Sequence, residues 1–457
     1  MPVAAIVELP ALAGTGEFRS IKKETVADVT GAPVAELTFA PVPYVTRAVS
    51  ALRKAPTVSI GDRRAKLADA SRRFLEEEIG GLTRAEFERT VARTSGLGLD
   101  IVRHSVDVIG DYCLSAYERA NAARPRGAVA ELADPAATTG SAVWVRRGDV
   151  FGVLAAGNHP AVHTHWLEAV ALGYKVAVRP SRREPLTAYR LVAALHGAGL
   201  REQVAYLPGD YDAADAILRS VDLAMVYGGD DVITKYSSNP AVLPQGPGRS
   251  KIIVTAGTAL NDAADLIADA VVRGGGTGCT NTTGVLVDGD AAAVAHAVAE
   301  RLSVIAPRRP EEGGAVLPVT SRATASRLSD YMRSVAAGST ALLGGDGVVA
   351  DLGDGSAALT PAVHLVSGPN AKALSVELPF PCVWIAPWSP AEGFDCFDDT
   401  LAVSVTAANE DVVDALIRRT SVRNVYVGQP TYWSAPGVPH DGYLGDFLME
   451  SKGFVQP

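Results

Sequence analysis

Three features of the 457-residue chain predict an α/β fold built on parallel, doubly wound sheets. From Val150 onward, short apolar runs alternate with amphipathic segments. The alternation restarts after a Pro/Gly-rich stretch, "LPQGPGRSK" at 243–251. Glycines, an asparagine and an Arg–Pro pair stand where the apolar runs stop. Parallel strands need helical crossovers, and these cover both faces of the sheet, so buried strands read as continuous apolar runs. Ligands of such sheets sit beyond the carboxyl ends of the strands.

The first region runs to about residue 149. It opens with a hairpin pattern, "VADVTGAPVAELTFA" at 26–40. Long helical patterns follow, for example "RRAKLADASRRFLEEEIGGLTRAEFERTVARTS" at 63–95, and a strand-like "GSAVWVRRGDV" at 140–150 closes the region. The rhythm then sets in. "VFGVLAAG" reads as a buried strand, "AVHTHWLEAVALGY" as a helix and "KVAVRPS" as a strand. "LTAYRLVAALHGAG" reads as a helix, "QVAYLPG" as a strand, "DAADAILRSV" as a short helix and "LAMVYGG" as a strand. The strand ends carry Asn158, Arg179–Pro180, Gly209 and Gly228–Gly229. The stretch 243–251, with two prolines and two glycines, reads as a linker. A second rhythm starts with "KIIVT". In its helix Ala263, Leu266, Ile267, Ala270 and Val271 share one face, and Asp262, Asp265, Asp269 and Arg273 take the other. That helix leads to "GGGTGCTNTTG" (274–284), with "GVLVDG" as the next strand. Similar alternation continues to "NVYVGQP" at 424–430, and a mixed tail ends the chain.

Composition narrows the function classes. The chain is 47% hydrophobic and 20% charged, which is ordinary for a globular protein. A formal net charge of −9 offers no basic field for nucleic acid or an anionic membrane. "MPVAAIVELPALAGTGEF" lacks the basic n-region of a signal peptide. No apolar run reaches membrane-spanning length. The four cysteines, Cys113, Cys279, Cys382 and Cys396, form no C-x-x-C pair and have no metal-like spacing to the eight histidines. The expectation is a reduced, cytoplasmic protein without a metal. His159, His163 and His165 cluster in "NHPAVHTHW" but lack a carboxylate or cysteine companion, so helix-face or channel roles are expected.

Cys279 stands apart from the other three thiols. Cys113 lies in a helical pattern, Cys382 in an apolar strand and Cys396 in "GFDCFDD", all compatible with inert packing. Cys279 lies between a helix and a strand on glycine-rich backbone, whose N–H groups can point at an attacked carbonyl oxygen.

Four motifs, in order, resemble the aldehyde dehydrogenase superfamily: "GNHP" (157–160), "VAVRPS" (176–181), "GGGTGCTNTTGVLV" (274–287) and "VELPFP" (376–381). The resemblance covers roughly residues 25 to 457. It implies a Rossmann-like cofactor domain at 1–245, with 136–149 contributing to a small β oligomerisation arm. A catalytic α/β domain carrying Cys279 would span 246–428, and 429–457 would form a C-terminal oligomerisation tail. The chain would be a homodimer or homotetramer. Cys279 is implied as the nucleophile, and Asn158 as an oxyanion donor alongside the Cys279 backbone N–H. Glu377 is implied as the partner of the nicotinamide ribose, and Gly228 and Gly229 as cover for the cofactor. Arg179, Pro180, Ser181, Arg182, Gly209 and Phe380 complete the expected cofactor contacts. "PHDGYLGDF" (439–447) is implied either at the mouth of the site or in the packing of a C-terminal arm.

Two departures from the family pattern refine the expectation. The glutamate that serves hydrolytic members as a base falls on Gln245, whose amide cannot take a proton from water. A persistent thioester on Cys279 would instead exchange with another thiol. "GPGRS" and "VYGGDDVI" resemble acyl-CoA reductases of the bacterial luciferase aldehyde-supplying type. The resemblance therefore implies reduction of an acyl thioester, on coenzyme A or an acyl-carrier protein, to an aldehyde. Aldehyde oxidation to an acid is one alternative, and a catalytically idle binding protein is another. Arg182 and Arg183 stand where many members keep a carboxylate for the adenosine ribose, which favours NADPH while leaving NADH possible. Glu184 nearby leaves the choice open.

Overall fold

The computed structural model describes residues 6–138, 140–435 and 437–455. Met1–Ala5, Thr139, Pro436, Gln456 and Pro457, which fall in the expected cofactor domain, arm and tail, lie outside the described residues. The first seven-stranded sheet runs Val242–Gln245, Leu223–Tyr227, Val150–Leu154, Lys175–Arg179, Val204–Tyr206, Ala11–Ala13, Gly16–Phe18. Its first five strands are parallel. The chain goes outward from Val150–Leu154 in one direction through two strands. It then returns to lay Leu223–Tyr227 and Val242–Gln245 on the other side. The topological switch point therefore lies between Val150–Leu154 and Leu223–Tyr227. The crevice beyond their carboxyl ends is bordered by Asn158 and Gly228.

The second seven-stranded sheet runs Thr340–Leu343, Ala362–Leu365, Cys382–Pro387, Thr282–Val287, Ser250–Val254, Thr400–Val405, Val422–Val427. All its strands are parallel except the first. Thr282–Val287 and Ser250–Val254, at its centre, are buried along most or all of their length, as a two-sided parallel sheet requires. A three-stranded sheet pairs Met449–Phe454 antiparallel with Ser141–Arg146, which also pairs with Ala128–Val129. The expected hairpin forms, with Lys23–Ala27 antiparallel to Pro33–Thr38.

Two expectations change in detail. The stretch 63–95 is two helices, Ile60–Glu76 and Arg84–Ser95; the first stops where Glu77 turns extended, and Gly80 and Gly81, at φ 62° and 74°, make the turn between them. The linker 243–251 is mostly strand. Val242–Gln245 adds to the edge of the first sheet, where Pro244 costs no ladder bond on a central strand, and Ser250 already begins the second sheet. Only 246–249 crosses between the sheets. No described helix is long and apolar enough to cross a membrane.

Candidate active site

The glycine run has a conformational cause. Helix Leu260–Val272 ends, and Gly274, Gly275 and Gly276 follow at φ 60°, 78° and 67°, in the left-handed region that side chains resist. A Cβ on Gly276 would sit 2.6 Å from the Pro381 nitrogen. Buried Asn281 then ties the loop back to the helix end. Its Nδ2 donates to the carbonyls of Ala270 (3.0 Å) and Arg273 (2.7 Å), and its Oδ1 accepts from Gly278 N at 2.8 Å. Gly248 packs directly on the nucleophile's backbone, since a Cβ there would meet the Cys279 carbonyl oxygen at 1.8 Å. Ser250 Oγ donates to that same oxygen at 3.0 Å. Cys279 is thus held from both sides, with its thiol partly exposed to the cleft. The other thiols are less available. Burial pushes Cys113 up to about 12, Cys382 higher still, and Cys396 up to about 11.

Asn158 comes to this loop from the switch point. Its Nδ2 donates to Thr277 O at 2.9 Å, two residues before Cys279, which leaves one amide hydrogen uncommitted. Its Oδ1 is buried without a partner. The next residue, His159, caps the short helix Pro160–His163 by accepting from Ala161 N at 3.3 Å. His163 accepts from Trp166 Nε1 at 3.1 Å, and His165 Nδ1 lies 3.2 Å from the Tyr227 hydroxyl. The three histidines therefore have separate partners. Among the described residues no group of three His, Cys, Asp or Glu side chains is arranged to hold a metal.

The sequence reading missed a pair that the structure places at the thiol. His440 Nε2 stands 3.7 Å from Cys279 Sγ, and His440 Nδ1 stands 3.7 Å from Asp441 Oδ1. Burial disfavours a charged His440, but the Cys279 sulfur and the Asp441 carboxylate outweigh it and raise the imidazole well above its ordinary value. Burial likewise disfavours an ionised Asp441, yet His440, His165 and a hydrogen bond from Gln245 hold it down to about 2. The ring of His165 lies 4.9 Å from that of His440, and burial keeps His165 down to about 4. The segment is anchored from the second sheet, because buried Asn424 donates through Nδ2 to the His440 carbonyl and to Leu401 O. A signal was present in the sequence: of the eight histidines, only His440 is followed by a carboxylate residue.

These groups line one cleft of 1720 Å³. Of the expected cofactor residues, Ser181, Gly228 and Glu377 line it. Gly157 and Gly228 let strand ends approach closely, since a Cβ would meet Ser181 Oγ at 2.3 Å and Val232 at 2.4 Å respectively. Glu377 Oε2 accepts from Arg249 N at 2.8 Å. Arg249 adopts φ 47°, uncommon for a side-chain residue, and this bends its N–H onto Glu377. Burial pushes Glu377 up to about 7. Arg179 donates through Nε to Gly209 O at 3.1 Å, joining two neighbouring strand ends. Arg182 is exposed and paired with Glu24 at 3.1 Å. Arg183 also lines the cleft and donates to Ser95 O at 3.0 Å, and buried Glu184 accepts from Thr187 N at 2.9 Å. Gly229 precedes helix Asp230–Tyr236 as its N-cap. Pro180 is buried, and Phe380, expected against the cofactor, is 2% exposed in the core of the second sheet.

Comparison with known families decides the assignment, because the model of the aldehyde dehydrogenase family matches residues 19–445. The chain belongs to the aldehyde dehydrogenase family. It is an oxidoreductase, and its α/β fold is the family's. A solved NAD-dependent aldehyde dehydrogenase from Sinorhizobium meliloti has a TM-score of 0.84 at 20% identity, covering 98% of this chain and 94% of that one. An indole-3-acetaldehyde dehydrogenase from P. syringae, solved with NAD⁺, has a TM-score of 0.84 at 18% identity, covering 98% and 97%. An aldehyde dehydrogenase from Physcomitrella patens, solved with its product succinate, has a TM-score of 0.82 at 17% identity, covering 99% of each chain. No curated protein matches the sequence of this aldehyde dehydrogenase. At these identities the likeness is one of fold.

Proposed function

We propose that this enzyme reduces an acyl thioester to an aldehyde, with NADPH, through an acyl–Cys279 intermediate. Gln245 carries the reading. It lies at the end of the strand facing the thiol loop, and its amide is spent on Asp441. An amide is no base towards water, and losing a general base typically costs about 10²–10⁴ in rate. Water is therefore a poor acceptor for the acyl group. Cys279 attacks the carbonyl carbon. The uncommitted Asn158 N–H and the Cys279 backbone N–H are positioned for the oxyanion. The thiol of coenzyme A or of a carrier protein leaves.

The residues of the cleft fit a nicotinamide dinucleotide: bare glycines at the strand ends, and Glu377 presenting a carboxylate oxygen for ribose hydroxyls. Bound there in reduced form, it would supply a hydride to the acyl carbon. Arg182 favours the 2′-phosphorylated form, because a phosphate can replace the screened Glu24 pairing with a stronger charge-assisted one.

A second reading, aldehyde oxidation to the acid, is favoured by Glu168. This carboxyl lines the same cleft, and burial pushes it up to about 7, a value suited to a base. One experiment separates the two. The enzyme is mixed with an acyl-CoA panel, with and without NADPH or NADH, and intact mass and nicotinamide absorbance are followed. The expected result is a gain of one acyl mass, lost on NADPH addition and absent in Cys279→Ala. Free acid from aldehyde and NADP⁺, with no acylation by any coenzyme A ester, would overturn the reading in favour of oxidation.

A further inference from the structure

Every thiol attack needs a place for the thiol proton. Five groups that line the cleft with Cys279 are candidates, and four have other partners, Glu168 among them with Arg119 and Asp441 as its charged neighbours. Gln245 has no basic atom and donates to Asp441. Glu377 is tied to the Arg249 N–H at 2.8 Å. His165 faces the Tyr227 hydroxyl at 3.2 Å. His440 remains, with Nε2 3.7 Å from the sulfur. That separation is within the range of a hydrogen bond to sulfur, and such contacts often tighten only when substrate is bound.

We propose that His440, oriented by Asp441 and Gln245, is the proton partner of Cys279, holding the proton taken from the thiol while the sulfur attacks and giving it to the departing thiolate. The inference rests on the thioester reading for its second half only; the first half holds for any electrophile. The step balances. The Cys279 sulfur–carbon bond forms, the carbon–sulfur bond to the leaving thiol breaks, and the proton moves from Cys279 to His440 Nε2 and then to the leaving sulfur. No electrons are exchanged.

Three observations support the orientation. Nδ1 is buried with no hydrogen-bond partner, and the only carboxylate beside it is Asp441 at 3.7 Å. Protonation at Nε2 turns Nδ1–H into a charged donor, which draws that carboxylate in. Asp441 is in turn gripped by Gln245, so the amide in the place of the family's base becomes a positioning residue. The backbone is fixed independently of the imidazole, by Asn424 on the His440 carbonyl. The titratable groups facing the pair are Cys279 on the glycine loop, His165 and Glu168 on helix His165–Ala171, and Tyr227 at its strand end. Of these, His165 is neutral above about pH 4 and Glu168 is the one that changes charge near neutrality, at about 7.

The test uses the full-length enzyme and iodoacetamide, read by intact mass from pH 5.5 to 9, on wild type, His440→Asn and Asp441→Asn. Cys113 and Cys382 are buried and Cys396 is partly exposed, so Cys279→Ala is the blank that assigns the adduct to Cys279. At pH 6 wild type should alkylate at least about tenfold faster than His440→Asn, with the gap closing by pH 9 and Asp441→Asn in between. Identical profiles for wild type and His440→Asn overturn the proposal. If His440→Asn does not fold, Asp441→Asn decides, and a profile there equal to wild type overturns the role of the pair. The same samples then meet acyl-CoA. An acyl adduct that forms as fast in His440→Asn as in wild type sinks the proton partner and leaves the thioester reading standing. No adduct in wild type, beside His440-dependent alkylation, sinks the thioester reading and leaves the proton partner standing.

Discussion

In the proposed mechanism Asn158 serves both structure and chemistry. Its Nδ2 bond to Thr277 O fixes the amide against the cysteine loop, and its second, uncommitted hydrogen is the one we assign to the oxyanion. Asn158→Ala removes both. The loop keeps its other tethers through Asn281 and Ser250, so the stability loss should be small, about 1 kcal/mol for a single hydrogen bond. Turnover should fall by about 10²–10³, with the cofactor KM little changed. Steady-state kinetics beside a thermal melt separate the two effects, and equal loss of turnover and fold would place Asn158 in the scaffold alone. Single residues of this kind were largely legible in the sequence, because each sits at a break in the pattern: Cys279 after three glycines, Asn158 and Arg179 at strand ends. Phe380 was not, since exposure is set by what packs on a side chain, and the second-sheet core closes over it. Glu184 read as a charge near a cofactor, yet it turns inward to accept from the Thr187 N–H.

At the scale of elements, helix His165–Ala171 carries a charge problem. It presents Glu168 to the cleft wall, where burial raises its carboxyl from an ordinary 4.5 to about 7, with Asp441 adding to the rise and Arg119 opposing it. A carboxyl with a raised value in the folded state binds its proton more tightly there than in the unfolded chain. Its contribution to stability is therefore present below pH 4.5 and is lost as pH climbs through about 7. Glu168→Gln removes that slope. Wild type and variant should melt together near pH 4.5, and the variant should melt higher at pH 8; coincident melts at both pH values would contradict the burial argument. Elements were the most legible level of this chain. Parallel strands buried on both faces leave unbroken apolar runs, and the predicted βα alternation recurs as two sheets. The linker at 243–251 was misjudged because Pro and Gly mark a turn in isolation, whereas an edge strand accepts a proline.

At the scale of the whole molecule, the site is assembled from distant stretches: the first sheet's switch point, the glycine loop, the Glu377 turn and the segment around His440. The last of these was illegible as chemistry. It has little regular structure besides the short helix Leu444–Leu448, and only the folded sheets bring it back to the thiol. The strand that follows, Met449–Phe454, pairs with Ser141–Arg146 and leaves its own outer edge unpaired within the chain. We expect this sheet to join copies of the chain. A chain ending at Leu448 should elute as a monomer in light-scattering chromatography where the intact chain gives a dimer or tetramer; an unchanged mass would place the interface elsewhere.

The tether between His440 and that strand is short: Asn424 holds one end, Leu444 and Leu448 sink into the core between, and Tyr174 and Arg147 hold the Leu448 carbonyl at the other. The proposed chemistry and the expected contact between copies thus share one ribbon of backbone. Where that strand joins copies, as we expect, freeing it by dilution would pull on the segment that carries the imidazole, and turnover per mole of enzyme should fall as the enzyme is diluted.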